Sequence, residues 1–175
     1  SDKVALLEKL GTYINYNGYG SDINELHFTP DALYRLLSPY KSPFDFIADN
    51  RENYQHLEAG YLQDMQAASA TEPLKATATT AVFVLPDEPW ARRVSGVYSN
   101  DLTNLNPTRA HAVLSEKSNG NYLVSVRAPL SNKKGAASLC MQFPSGGGRE
   151  AAAGINDLPE AMLPTFLQAF EDAFH

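Results

Sequence analysis

The sequence is poor in the residues on which most simple catalytic schemes rest. It has one cysteine, Cys140, and four histidines among 175 residues. A single cysteine closes no internal disulfide, which excludes a disulfide-stapled scaffold, and its apolar surroundings point to a buried thiol in a reducing compartment. His27, His56, His111 and His175 show no HxxxH spacing, and no Asp-x-Asp or Asp-His cluster accompanies them, so no metal site is legible. The Gly-x-Ser-x-Gly turn is absent and Cys140 lacks the signature of a nucleophile, which leaves acyl transfer without a foothold. No segment approaches the roughly 20 apolar residues of a membrane helix. Ser1-Asp2-Lys3 also lacks the basic-then-apolar pattern of a signal peptide, so a cytoplasmic location without a membrane is expected. Positive charge is scarce as well. With 14 Lys and Arg against 20 Asp and Glu, net charge -6, no global basic field attracts nucleic acid, and any anion must be held locally.

What is present is enough for a real core, since 43% of the residues are hydrophobic. A start at Ser1 rather than Met is expected of a chain processed or cut from a longer protein. Val4, Leu7, Leu10 and Ile14 recur at helical spacing until Asn15 to Gly20 breaks the run. Thr29-Pro30 and Ser42-Pro43 each place a hydroxyl before a first-turn proline and announce two more helices, the second a long one running through Ala68. Arg92-Arg93 and Lys133-Lys134 read as solvated faces. The shift in composition at Ala67 to Pro73 sets the expected border, giving a helical segment at 1–72 and a second unit at 73–175.

Beyond it the pattern is β-α-β-β-α-β-α, an α/β (α+β) fold with a mixed sheet flanked by helices. Thr79–Leu85, Arg109–Glu116, Asn121–Ala128 and Arg149–Asn156 are the expected strands. Asn119-Gly120 supplies the positive φ angles of a tight hairpin between the second and third. Two features stand apart. Ser145-Gly146-Gly147-Gly148-Arg149 reads as a glycine loop between a short helix and the last strand, where backbone N–H groups can turn toward an anion and Arg149 adds a charge. Arg127 ends an otherwise apolar strand and shares a face with Leu123 and Ser125, an odd place for a charge unless a protein carboxylate or a ligand phosphate meets it. His27 with Glu25 offers a general-base pair or, more simply, a loop histidine with a local hydrogen bond.

Taken in order, Tyr122 to Arg127, the run Ser145 to Arg149 and the small-residue step Ala152-Ala153-Gly154 resemble the DHHA1 domain, the C-terminal domain of DHH-family phosphoesterases. In that family a strand ends in arginine, a short helix follows, and a GGGGHxxAAG loop leads into the final strand. This sequence departs twice: Ser145 stands at the first glycine and Arg149 replaces the histidine, and an arginine does not shuttle protons near neutral pH.

The resemblance implies a phosphate-contacting surface made of Arg127, Ser145, Gly146, Gly147, Gly148 and Arg149, with no catalytic and no metal-binding residue in the chain itself. It implies manganese in a separate N-terminal DHH domain, whose Asp-His-His triplet does not occur here, so the chain alone is expected to be inactive. The parent would hydrolyse a phosphoester or phosphoanhydride, and the partners implied are a phosphate-containing small molecule or short oligonucleotide and that DHH domain. Two other readings are a tRNA-like nucleic-acid-binding module without hydrolysis, and a structural or dimerisation piece in which Arg127 merely pairs with an acid such as Glu150 or Asp157.

Overall fold

In the computed structural model, which describes residues 2–175, the first third is helical and the remainder is a six-stranded mixed sheet clasped by helices; Ser1 lies outside the described residues. Helices α1 (Asp2–Tyr16), α2 (Pro30–Leu37), α3 (Pro43–Asp49) and α4 (Arg51–Ser69) come first. They gather around Leu10, Tyr13, Phe46 and Leu57. Ser42 accepts from the Phe44 N–H and so caps α3, whereas Thr29 makes no such cap and turns its hydroxyl to Asp31. The long second helix expected from the pattern is two helices. Asn50, at φ -113° and ψ 45°, breaks the run, and its side chain is engaged by the Tyr40 hydroxyl and the Asn53 amide rather than by the backbone of α4. Periodicity carries across such a one-residue kink, which is why it reads as continuous.

The sheet contains β1 (Lys75–Ala76), β2 (Thr80–Leu85), β3 (Ala110–Glu116), β4 (Tyr122–Arg127), β5 (Gly146–Arg149) and β6 (Ala152–Leu158), in spatial order β1-β2-β3-β4-β6-β5. Only β2 and β3 are parallel, joined through α5 (Pro89–Leu105). The β3–β4 hairpin forms, with His111 opposite Arg127 and Val113 opposite Ser125. Its turn is longer than the two-residue form, however: Lys117 N–H bonds the Asn121 carbonyl across Ser118-Asn119-Gly120, and only Gly120 has positive φ. The last strand is also preceded by another. Gly146–Arg149 is not a loop but an edge strand that turns at Glu150-Ala151 and pairs antiparallel with β6.

Alternation along β4 assigns its two faces. Val124 and Val126 join Ala112, Leu114 and Ile155 in a core closed by α6 (Ala136–Cys140) and by Phe166 and Phe170 of α7 (Leu163–Ala173). Both phenylalanines are fully buried, each contributing about 1.5–3 kcal/mol. On the opposite face α5 lays Ala91, Val94, Tyr98 and Leu102 over Ala81, Phe83 and Val113, and this core also takes in Tyr16 of α1 and Ala68 of α4.

The helical segment therefore packs on α5, and this overturns the reading of Arg92 and Arg93 as a solvated face. Arg92 pairs with Glu25 at 2.5 Å and with Asp87, while Arg93 pairs with Asp64 at 2.8 Å, the two side chains only 12% and 4% exposed in the second pair. Removing one partner strands the other charge inside. Asp64→Ala is expected to destabilise the chain by about 3–5 kcal/mol in urea denaturation; a loss near zero would mean the pair is solvated.

Candidate anion-binding site

The face of β4 that carries Leu123, Ser125 and Arg127 is the face over which α5 lies. Registration extends it across the sheet. Arg127 stands opposite Ala152 in β6, and Ala152 opposite Arg149 in β5, so the two arginines occupy one row with a small residue between them. The next row is Ser125, Gly154 and Gly147. Nothing lies within 4 Å of where a Cβ on Gly147 would project, so that position is open, whereas a Cβ on Gly154 would meet the Val124 carbonyl.

The other two glycines do different work. A Cβ on Gly146 would overlap the Cys140 carbonyl of α6, so close helix–strand approach requires glycine there. Gly148 adopts φ 138° and lies against Ala153, a conformation that side chains resist. Ser145, at φ 61°, accepts from the Asp157 N–H through its hydroxyl and from the Asn156 N–H through its carbonyl, which continues the β5–β6 pairing. Gly147 is thus the member of the run that faces outward on the arginine side, whereas Ser145, Gly146 and Gly148 shape the strand.

Arg127 is half-buried, and its bonds are to neutral acceptors. Nε donates to Asn100 Oδ1 at 2.8 Å, and Nη1 donates to Ser125 Oγ at 2.9 Å and to the Val126 carbonyl at 3.2 Å. Among the described residues no carboxylate lies within ion-pair distance of it; Asp157 is taken by Lys117 and Asn121, and Glu150 accepts from the Gly135 N–H. Burial pushes the Arg127 pKa down; Tyr19 opposes that and Arg149 adds to it. A half-buried guanidinium with a second one close enough to depress its pKa has the chemistry to accept an anion. It opens on a 350 Å³ cleft that Asn100, Thr103, Asn104, Lys133 and Ala152 also line, and that has two cations and no acid on its walls.

Sequence reading missed the helix side of this cleft. Its signal was the small-polar stripe Ser95, Ser99 and Thr103 on a helix face turned to the sheet, where Ser99 donates to the Ser95 carbonyl and Thr103 to the Ser99 carbonyl. Asn100 and Asn104 flank that stripe. The His27–Glu25 pair is not assembled: His27 meets the Tyr16 hydroxyl at 2.8 Å and Glu25 is held by Arg92.

Beside Arg127 in the hairpin, His111 is buried, with Nδ1 unpartnered. Burial first, then Arg109, depresses its pKa to about 4, against a backbone hydrogen bond that raises it. The unfolded chain takes up this proton near pH 6.5 and the folded chain only near 4. The contribution of His111 is therefore complete above pH 6.5 and is lost as pH falls to 4, about 3 kcal/mol in all at about 1.4 kcal/mol per pH unit. Denaturation of His111→Gln across that window is expected to show a flatter acid limb than the unmodified chain; parallel limbs would place the imidazole in contact with water.

No family model and no curated protein matches the sequence. Among solved structures, the chain is similar to RecJ from Thermus thermophilus in complex with Mn²⁺, with 19% identity and a TM-score of 0.61 over 91% of this chain and 22% of that one. An exopolyphosphatase-related protein from Bacteroides fragilis aligns at 18% identity and TM-score 0.48, over 78% of this chain and 43% of that one. A pGpG-specific phosphodiesterase, PggH from Vibrio cholerae, aligns at 13% and 0.47, over 83% and 47%. The chain spans less than half the length of each. At these identities the likeness is one of fold.

Proposed function

We propose that this chain is the substrate-holding C-terminal part of a DHH-family phosphoesterase, a DHHA1 domain at 73–175 with the helices of 1–72 before it. One observation carries the reading. Arg127 keeps a half-buried charge that no protein carboxylate matches, on a cleft whose walls hold a second cation, Lys133, and no acid. Arg149, across Ala152, adds a third positive charge, and Gly147 leaves the space of a side chain open two residues before it. The ligand is a phosphoester or phosphoanhydride: a short oligonucleotide, a cyclic dinucleotide, a nucleotide or a polyphosphate. The fold shared with RecJ over most of this chain supports the assignment.

The contribution of these residues is positioning. Two cations and the amide donor of Asn104 fix a phosphate against the sheet and exclude alternative poses. Among the described residues no three His, Cys, Asp or Glu side chains gather as a metal ion needs. On this proposal manganese belongs to the DHH domain that the resemblance implies. The neutral surroundings of Arg127 weigh against the structural or dimerisation reading, which requires a paired arginine.

Titration of the chain with a 5′-phosphorylated dinucleotide tests the assignment. Arg127→Ala is expected to weaken binding by about 1.5–3 kcal/mol, the scale of a charge-assisted hydrogen bond, with the thermal midpoint retained. Lower thermal stability with unchanged affinity would make Arg127 a structural residue. Added manganese is expected to give the chain alone no hydrolysis of the same dinucleotide; metal-dependent turnover by purified chain would contradict the division of labour.

A further inference from the structure

The guanidinium of Arg127 is held in place without being neutralised, and the residue chiefly responsible is Asn100. Its Oδ1 takes the Nε–H of Arg127 at 2.8 Å. Ser125 Oγ takes an Nη1–H at 2.9 Å, and stands 3.3 Å from Ser99 Oγ, itself bonded to the Ser95 carbonyl at 2.7 Å. The Val126 carbonyl takes the remaining contact at 3.2 Å. Nε and Nη1 are thereby committed to the protein, and Nη2 is left for the cleft. Every acceptor in this set is uncharged. An asparagine on α5 is the one member that a single isosteric exchange would turn into a carboxylate.

We infer that Asn100 is a positioning residue that also sets the specificity of the site for anions: its amide orients the guanidinium as a carboxylate would while leaving the positive charge unspent. The inference rests on the proposed role of Arg127 in holding phosphate. Charge decides the matter more than geometry does. A carboxylate at the Asn100 position would accept the same Nε–H in a shorter, stronger, charge-assisted bond and would cancel the field at Nη2. Such a pair would also relieve the desolvated, repelled state of Arg127 beside Arg149, so the fold would gain by it and the cleft would lose. The chain has 20 acidic residues, and none is placed here among those described.

The test uses the full chain and calorimetric titration with a 5′-phosphorylated dinucleotide, with the unphosphorylated dinucleotide as the reference. Asn100→Asp is expected to cost at least tenfold in affinity for the phosphorylated probe while the melting temperature holds or rises, a combination that loss of structure does not produce. Asn100→Ala is expected to cost several-fold through lost orientation, and Asn100→Gln, which keeps a neutral acceptor, to recover most of it. Affinity of Asn100→Asp within twofold of the unmodified chain, with Arg127→Ala defective, would overturn the role of Asn100 alone. Unchanged binding by Arg127→Ala, or no preference of the unmodified chain for the phosphorylated probe, would overturn the functional reading and this inference with it. Should Asn100→Asp fail to fold, equal affinities of the alanine, glutamine and unmodified chains would overturn it instead.

Discussion

The carboxylate of Asp64 is the point on which the placement of three helices depends. It accepts from the Tyr16 hydroxyl of α1 and from Nε and Nη2 of Arg93 on α5, the latter two at 2.8 and 3.2 Å, from a position on α4 with 4% of its side chain exposed. Arg93 also reaches the Glu25 carbonyl at 2.6 Å. Burial raises the Tyr16 pKa, and the bond to Asp64 raises it further, so the phenolic proton stays on tyrosine and is directed to the carboxylate. His27, 2.8 Å from the same hydroxyl, must then donate its Nε2–H to the tyrosine oxygen. A set of this kind adds less to net stability than its bond count implies, because each member was solvated before folding. Its effect is to fix the rotation of α5 against the helices, and so which stripe of it, Ser95, Ser99 and Thr103, is turned to the sheet, with Asn100 at the margin beside Arg127.

The same chain therefore treats two arginines in opposite ways. Arg93 is matched by a buried acid, a tyrosine and a carbonyl, and its charge is consumed by the fold. Arg127 is given an amide, a hydroxyl and a carbonyl, and its charge is conserved. Desolvation without compensation works against stability, and a residue that bears such a cost breaks the local consistency the rest of the sheet keeps, as the proposed binding role requires.

Much of the sheet was legible because its strands alternate. Val124 and Val126 against Ser125 and Arg127 place one set inward whatever the neighbours are, and Asn119-Gly120 marks the turn. The glycine run was misread for the converse reason: residues without side chains carry no alternation, and the pairing that makes Gly146–Arg149 a strand is supplied by β6. Arg92 and Arg93 were misread because Glu25 and Asp64, the acids that meet them, lie far away in sequence. Arg127 could be singled out as a charge in an apolar strand. Asn100 could not, since a neutral residue on the exposed side of a helix looks ordinary until the helix is laid over the strand that carries its partner.

The row Arg127, Ala152, Arg149 bears on what the proposed site does to a bound phosphate. Two interstrand steps of about 4.8 Å separate the arginine backbones by about 10 Å, a span within reach of two arginine side chains over an alanine that leaves the middle free. Like charges so placed repel, as the downward pull of Arg149 on the Arg127 pKa reflects, and an anion between them turns that repulsion into two attractions. Where the resembling family has histidine, Arg149 brings a charge that stays fixed through the neutral range, so on the proposed function it strengthens the hold on phosphate and gives up any proton transfer at that position. The two departures from the family pattern act together. Ser145, turned into the ladder by its bond from the Asp157 N–H, anchors the start of β5, and the arginine at the far end of that short strand is thereby held in register with Arg127 rather than left on a mobile loop.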